Sequence, residues 1–489
     1  MPEFMRFFPY EEPYENQREA MAGIHEALQE GRDVLFEGAC GTGKTLSSLA
    51  PALEYARAED KTVVITTNVH QQMRQFVAEA RAINEGEPIR AVVFRGKSSM
   101  CHLDVGFEEC QVLRDATYEL VDAERDRQQL ERRQEELLEA SRDGEEGAAE
   151  ARNAVMDELD RVEGDLEDLR ERNTCDYYYE NLTRDTDEFY EWLFEDVRTP
   201  DEIYEFAHDR GLCGYELLKD GIEGVDLVVC NYHHLLDPMI RGQFFRWLGR
   251  DPEDVIAVFD EAHNVESAAR DHATRTLTER TLEAALDELA DVSDPRAEAA
   301  VNVLSAFHRA LVEVYEDALG FGGRESVGEE WDDVPIDNEE GRDDLTVSFL
   351  QRYSGPGYDV DLEEAMALGK DLDEGYEEAY RSGETDVRKE CQTLEAASFL
   401  SLWMEEGKKT GQYPVVSVRR DRATEEVYGR AELYTCIPRP VTQELFEEVH
   451  ASVLMSATLR PFDVTEDVLG LSDPATMAYG LTFPEERRR

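Results

Sequence analysis

The 489-residue sequence carries 51 Lys and Arg against 111 Asp and Glu, a formal net charge of −60, yet 41% of it is hydrophobic, which favours packed cores over a disordered acidic chain. Only 8 of the basic residues are lysine, and the acids run through the whole chain. Such a surface suits molar salt, where the Debye length is about 3 Å; the charge is read as adaptation to the high-salt cytoplasm of a halophile and does not exclude a polyanionic partner.

No apolar run approaches the roughly 20 residues of a membrane span. Met1 to Gln17 has no apolar signal core. Eight cysteines are too sparse for a disulfide scaffold and are read as buried thiols or metal ligands.

In chain order, Phe8-Pro9-Tyr10 and Gln17 precede a predicted amphipathic helix, Arg18 to Glu30. Aromatic residues and a glutamine just upstream of a phosphate loop can cap a nucleotide base; an N-terminal staple packing on the domain is the bland reading. The apolar run Val34-Leu35-Phe36 then leads into Gly38-Ala-Cys-Gly41-Thr42-Gly43-Lys44-Thr45, followed by a helix-like segment, Leu46 to Ala58. The spacing G-x-x-x-x-G-K-[ST] wraps backbone N–H groups around phosphates. Lys44 then reaches the terminal phosphates and the Thr45 hydroxyl ligates Mg²⁺. This stretch marks an NTPase.

Thr62–Thr67 reads as a β-branched strand, with a helix from His70 and a second strand, Ile89 to Phe94. Strands alternating with helices predict an α/β fold with a parallel sheet. Ligands of such sheets sit at the strand C-terminal ends, where Thr66, Thr67 and Asn68 would lie.

At Met100 the pattern changes. Cys101, Cys110, Cys175 and Cys213 fall in one segment, and a very polar stretch, Leu113 to Asn173, separates the second from the third. Val155, Leu159, Val162, Leu166 and Leu169 give it an apolar 4-3-4-3 spacing, and Asp143 to Gly147 breaks it. Two antiparallel helices forming a coiled-coil hairpin of about 40 Å are predicted, against the alternative of a disordered acidic insertion.

The sheet resumes at Val225–Cys230, followed by Asn231-Tyr232-His-His-Leu-Leu-Asp237. Another apolar strand, Val255 to Phe259, ends in Asp260-Glu261-Ala262-His263. On a strand end after a phosphate loop, Asp260 is placed to hold Mg²⁺ through water and Glu261 to polarise the attacking water. Val265 to about Met404 is helical and acidic with no evident chemistry, and strands return at Val415–Arg419 and Ala431–Ile437. Ala451 to Leu459, containing Ser456-Ala457-Thr458, reads as a buried strand ending in small hydroxyl residues.

This ordered set resembles the XPD family of superfamily 2 DNA helicases, with DinG-type iron–sulfur helicases the nearest confusable group. The resemblance rests on Phe8-Pro-Tyr10 with Gln17, Gly38–Thr45, the four spaced cysteines, Tyr232–Pro238, Asp260–His263 and Ser456–Thr458. It implies a RecA-like motor domain in pieces (1–99, 215–264 and 405–463), a 4Fe–4S domain at 100–214 with its coiled-coil insertion at 113–173, and a helical arch at 265–404. Residues 464–489 would begin a second motor domain.

The resemblance further implies ATP and Mg²⁺ as cofactors and a 4Fe–4S cluster on Cys101, Cys110, Cys175 and Cys213. Four thiolates equally suit zinc. The long insertion after Cys110 departs from the usual compact cluster domain. Cys40, Cys230, Cys391 and Cys436 are read as packing residues. Single-stranded and forked DNA would thread between arch and cluster domain, with Thr66, Thr67, Asn68, Asn231 and Tyr232 as candidate contacts and strand-end packing as the alternative. His263 and Ser456–Thr458 would couple hydrolysis to movement.

A monomer, with repair or transcription factors as partners, is expected. No Q-x-x-G-R-x-x-R-like stretch occurs, so the arginine fingers of a second motor domain, worth roughly 10³–10⁵ in rate, are expected from elsewhere. Two functions stay open: the N-terminal portion of an ATP-dependent 5′→3′ repair helicase, or a regulatory, non-motor ATP- and DNA-binding module.

Overall fold

A computed structural model describes residues 2–39, 41–67, 70–336, 338–339, 342–406 and 411–480. The chain forms two compact units. One comprises Met1–Ala91, Glu223–Glu374 and Glu390–Arg489; the other comprises Val92–Ile222 and Gly375–Lys389.

The strands, in chain order, are β1 (Val34–Gly38), β2 (Thr62–Thr67), β3 (Ala91–Val93), β4 (Leu227–Asn231), β5 (Val255–Asp260), β6 (Arg275–Thr278), β7 (Asp332–Val334), β8 (Asn338–Glu339), β9 (Arg342–Asp343), β10 (Gln412–Arg420), β11 (Val427–Thr435), β12 (Ala451–Ser456) and β13 (Ala475–Tyr479). A seven-stranded sheet has the order β13-β1-β12-β5-β2-β4-β3. The pairings of β1 with β12 and β13, of β5 with β12 and β2, and of β2 with β4 are parallel. Strands β1, β2, β5 and β12 are buried along their whole length, the mark of a parallel sheet covered on both faces.

The register decides what this sheet presents. Glu37 pairs with Ser456, and Met455 with Asp260. The adjacent strands β1, β12 and β5 therefore end side by side. Their C-terminal ends deliver the phosphate loop, Ser456-Ala457-Thr458 and Asp260-Glu261 to one edge, where ligands of open α/β sheets bind.

A four-stranded sheet, β6-β11-β10-β7, has antiparallel pairings throughout. Its core joins Leu277, Val416 and Leu433 to Phe307, Phe349 and Trp403 from the helices Arg296–Leu319, Asp344–Arg352 and Gln392–Glu406. This corrects the expected boundaries, because β10 and β11 lie in this sheet and not in the motor sheet. Their interrupted burial suits one covered face, whereas a central parallel strand needs two. The segment 265–404 is also not purely helical, since β6 to β9 fall within it.

At the C-terminal end, β13 is an edge strand of the motor sheet, with Val34 opposite Ala475 and Gly38 opposite Tyr479. Residues 464–480 therefore extend the first motor sheet rather than open a second domain.

In the other unit, helices Phe107–Arg142 and Ala148–Arg170 form the predicted hairpin. Its turn uses Gly144 and Gly147 at φ of +85° and +88°, a region glycine enters without Cβ strain. Leu120, Leu166 and Leu169 pack between the arms with Val162. The arms are 36 and 23 residues long, or about 54 and 35 Å at 1.5 Å per residue. The first exceeds the expected 40 Å because it starts at Phe107, before the polar insertion. No helix among the described residues is long and apolar enough to cross a membrane.

Candidate nucleotide site and cysteine pocket

At the C-terminal edge of the motor sheet, a cavity of about 550 Å³ is lined by Gly41, Gly43, Lys44 and Thr45 on one side and Asp260 and Glu261 on the other. Its volume falls in the roughly 300–1,000 Å³ range of small-ligand sites. Helix Lys44–Ala58 starts at Gly43, whose φ is +77°. A Cβ there would lie 2.5 Å from Gln17 Nε2, so both backbone conformation and space require glycine. The first N–H groups of the helix have no intrahelical partners and carry the positive end of its dipole, a ready anion site.

Gln17 is buried and lines the cavity. Its Nε2 donates to the Gly43 carbonyl at 3.2 Å, and its Oε1 accepts from the Tyr14 N–H at 3.2 Å. This geometry fixes the loop to the segment ahead of the first long helix. Phe8, Tyr10 and Tyr14 complete that wall.

Asp260 is buried at the end of β5. Burial, and then the neighbouring Glu261 charge, push its carboxyl up to about 6, while Lys44 pulls the other way. Opposing such a shift needs local positive charge, which Lys44 and a divalent ion would supply. Glu261 takes a left-handed backbone, φ +51°, which turns its side chain out of the strand. Its Oε2 accepts from Ser456 Oγ at 3.2 Å and lies 3.3 Å from His263 Nδ1, which is 2.8 Å from the same Ser456 Oγ. The sequence reading named these residues separately; the structure joins them in one carboxylate–hydroxyl–imidazole cluster.

The candidate DNA contacts fare differently. Thr66 and Thr67 are fully buried, and the Thr67 hydroxyl bonds Gln72 Oε1 at 2.7 Å. Tyr232 is 2% exposed. Its hydroxyl donates to the Asp260 carbonyl and, at 3.1 Å, to that of Glu261. A base has no access to this ring, and Tyr232 instead supports the backbone that carries the two acids. Asn231 is half-buried at the end of β4, and Asn68 lies outside the described residues.

Sequence reasoning missed Gln72, Gln75 and Glu79, which line the cavity from helix His70–Gly86. Their i, i+3, i+7 spacing places them on one helical face and was a usable signal. It also missed Glu37, a buried acid directly ahead of the phosphate loop. Glu37 accepts the backbone N–H groups of Leu459 and Arg460 at 2.8 and 2.9 Å and thereby ties β1 to the segment after Ser456-Ala457-Thr458.

The second unit holds a separate pocket. Cys101, Cys110, Cys175 and Cys213 line it together with Lys97, Leu113, Tyr178 and Tyr215. Cys110 sits in the first turn of helix Phe107–Arg142, while Cys175 and Cys213 occupy the N-caps of Asp176–Thr183 and Gly214–Gly221. Helix N-termini favour thiolate. Burial opposes this, raising the Cys175 thiol and pushing that of Cys213 up to about 12. Despite the 64 residues inserted between them, Cys110 and Cys175 meet, because the insertion is a hairpin that returns to its start. Cys230 and Cys391 are buried elsewhere and Cys436 is half-buried; Cys40 lies outside the described residues.

The DEAD_2 family profile matches residues 65–282. The chain is 25% identical over 334 residues to the general transcription and DNA repair factor IIH helicase subunit XPD of Arabidopsis thaliana, covering 66% of this chain and 39% of that protein. It is 24% identical over 286 residues to a regulator of telomere elongation helicase 1 homolog of Caenorhabditis elegans, covering 58% and 26%. A solved XPD helicase superposes with a TM-score of 0.52 at 16% identity, covering 96% of this chain and 63% of that one. A truncated XPD does so at 0.50 and 15%, covering 95% and 100%.

The chain is similar to XPD-family helicases. Its seven-stranded parallel sheet is that of a RecA-like motor domain. The matches span about a quarter to two fifths of the curated XPD and telomere-helicase relatives named above.

Proposed function

We propose that this chain is the N-terminal, nucleotide-binding portion of an ATP-dependent DNA helicase of repair type that moves 5′→3′ on single-stranded DNA. The observation that carries the proposal is the convergence of Lys44 and Thr45 with Asp260 and Glu261 on one cavity. In this reading the loop N–H groups and Lys44 hold the ATP phosphates, and Thr45 and Asp260 hold Mg²⁺. Glu261 orients and deprotonates the attacking water. Ser456 and His263, both within hydrogen-bond or ion-pair reach of Glu261, report the state of that carboxylate to β12 and so couple hydrolysis to movement.

The four cysteines are proposed as ligands of a 4Fe–4S cluster. The convergence of all four thiols on one pocket supports a shared metal centre. Such a cluster would cross-link the loop at Cys101 to three helix N-termini and offset the burial that disfavours free thiolates. Arch and cluster domains around a DNA path, assembly with repair or transcription factors, and a high-salt cytoplasm remain parts of this proposal. A regulatory ATP- and DNA-binding iron–sulfur module is the second reading; the presence of Glu261 beside Asp260 at the cavity disfavours it, since binding alone needs no second acid.

The test uses the full-length polypeptide. Unwinding of a 5′-tailed duplex with ATP hydrolysis, both lost in Glu261→Gln while nucleotide binding persists, is the expected result. A Glu261→Gln protein that unwinds at the parental rate sinks the helicase reading. Iron analysis after anaerobic purification should find about four irons per chain; a single zinc would refute the cluster.

A further inference from the structure

We propose that Glu279, Glu283 and His308 form a site for one first-row divalent metal ion, zinc being the best fit, separate from the nucleotide site and from the cysteine pocket. Glu279 and Glu283 stand one turn apart on helix Glu279–Ala290, on a shared face, and His308 comes from helix Arg296–Leu319. The three ligand atoms lie within 4.8 Å of one another.

The geometry of the imidazole carries the inference. His308 Nε2 is 3.8 Å from Glu279 Oε1 and 3.8 Å from Glu283 Oε1, beyond the 2.7–3.2 Å range of an N–H···O hydrogen bond. The same nitrogen is shielded from solvent and makes no hydrogen bond. A buried, polar nitrogen rarely goes unsatisfied. His308 pairs with both carboxylates and, against the effect of burial, helps hold that of Glu279 low, but at 3.8 Å from each it lies midway rather than bonded to either. That is the arrangement of groups sharing an ion, since tetrahedral bonds of about 2.1 Å set ligands roughly 3.4 Å apart.

The surroundings prepare the site. The Gly429 N–H and the Tyr315 hydroxyl donate to Glu279 Oε2 at 2.9 and 3.1 Å. They fix the carboxylate and leave Oε1 for the ion, as supporting hydrogen bonds do in metal centres. Side-chain exposure is 12% at Glu279, 21% at His308 and 56% at Glu283. The ion would therefore arrive past Glu283 and keep water in its open positions. One imidazole and two carboxylates suit Zn²⁺, Co²⁺ or Mn²⁺ and disfavour thiophilic ions. Bound there, the ion would staple the two helices beside β11.

Cobalt reports the ligand type. The chelator-treated protein is titrated with Co²⁺ in molar KCl, which suppresses diffuse binding to the acidic surface. Parent, His308→Gln and Glu283→Gln are compared, all in an Asp260→Asn background that weakens the proposed Mg²⁺ site. The expected result is a saturable site with nitrogen–oxygen d–d bands, weakened tenfold or more in both variants, while any sulfur charge transfer from the cysteine pocket is the same in all three proteins. Glu283 is exposed, so Glu283→Gln should fold normally, which circular dichroism checks. No such band in the parent, or equal affinity in all three proteins, overturns the proposal. A sulfur charge-transfer band as the only signal does so as well, because it assigns the metal to the cysteines.

Discussion

Replacing Glu37 with alanine isolates what holds the phosphate-loop strand to the segment after Ser456-Ala457-Thr458. Glu37 is 8% exposed. Its Oε2 accepts the Leu459 and Arg460 N–H groups at 2.8 and 2.9 Å, and its Oε1 accepts Arg460 Nε at 2.6 Å. The Arg460 side chain is 65% exposed, so this ion pair is screened and worth about 0–1 kcal/mol. The backbone donors are another matter: the Leu459 N–H is buried and costs about 1–3 kcal/mol when left without a partner, whereas Arg460 is exposed and its N–H can turn to water. Glu37→Ala should therefore destabilise the motor unit by about 1–3 kcal/mol, and Arg460→Ala by less than about 1 kcal/mol.

Denaturant unfolding of both variants gives the energies, and amide hydrogen exchange at Leu459 and Arg460 gives the location. Burial raises the Glu37 pKa, but the bonds from Arg460 and from the Leu459 N–H outweigh it and hold the carboxyl below its usual range. Its stabilisation is thus complete above the ordinary carboxylate pKa and is lost as pH falls through the depressed folded value. The gap between parent and Glu37→Ala should narrow in acid. Equal losses in Glu37→Ala and Arg460→Ala, or unchanged exchange at Leu459, would refute the reasoning.

Tyr232→Phe removes the donor to the Asp260 and Glu261 carbonyls and should cost about 1–3 kcal/mol, leaving DNA affinity unchanged; a selective loss of DNA binding would return Tyr232 to the DNA path. Leu166 is 1% exposed between the hairpin arms, so Leu166→Ala should destabilise the hairpin by about 2–5 kcal/mol, read by hydrogen exchange along both arms. With the Asp260 carboxyl raised to about 6, protons should compete with Mg²⁺ as pH falls through that value. Calorimetric Mg²⁺–nucleotide affinity should drop there in the parent and lose this pH dependence in Asp260→Asn.

The residues that line the candidate nucleotide cavity were largely legible in the sequence because they come in local runs. Gly38–Thr45 and Asp260–Glu261 are short runs whose spacing carries the chemistry, and each follows an apolar strand. The hairpin was legible for a similar reason: Val155 to Leu169 repeat on one helical face. What escaped depended on pairing across long separations. That β10 and β11 join β6 and β7, and that β13 sits beside β1, is a choice among strands of similar composition which no local pattern records. Tyr232 shows the same limit, because an aromatic residue near a motif looks alike in sequence whether its ring faces solvent or its hydroxyl props a neighbouring strand, as here. Glu37 was overlooked because an acid inside an apolar strand reveals its role only through Leu459 and Arg460, more than 400 residues away.

The most direct test of the central reading is equilibrium titration of this chain with a non-hydrolysable ATP analogue and Mg²⁺, in parallel with Lys44→Ala. One saturable site in the parent, abolished in Lys44→Ala while circular dichroism stays unchanged, is the predicted result. No binding by the folded parent, or the same affinity without the lysine, would contradict it.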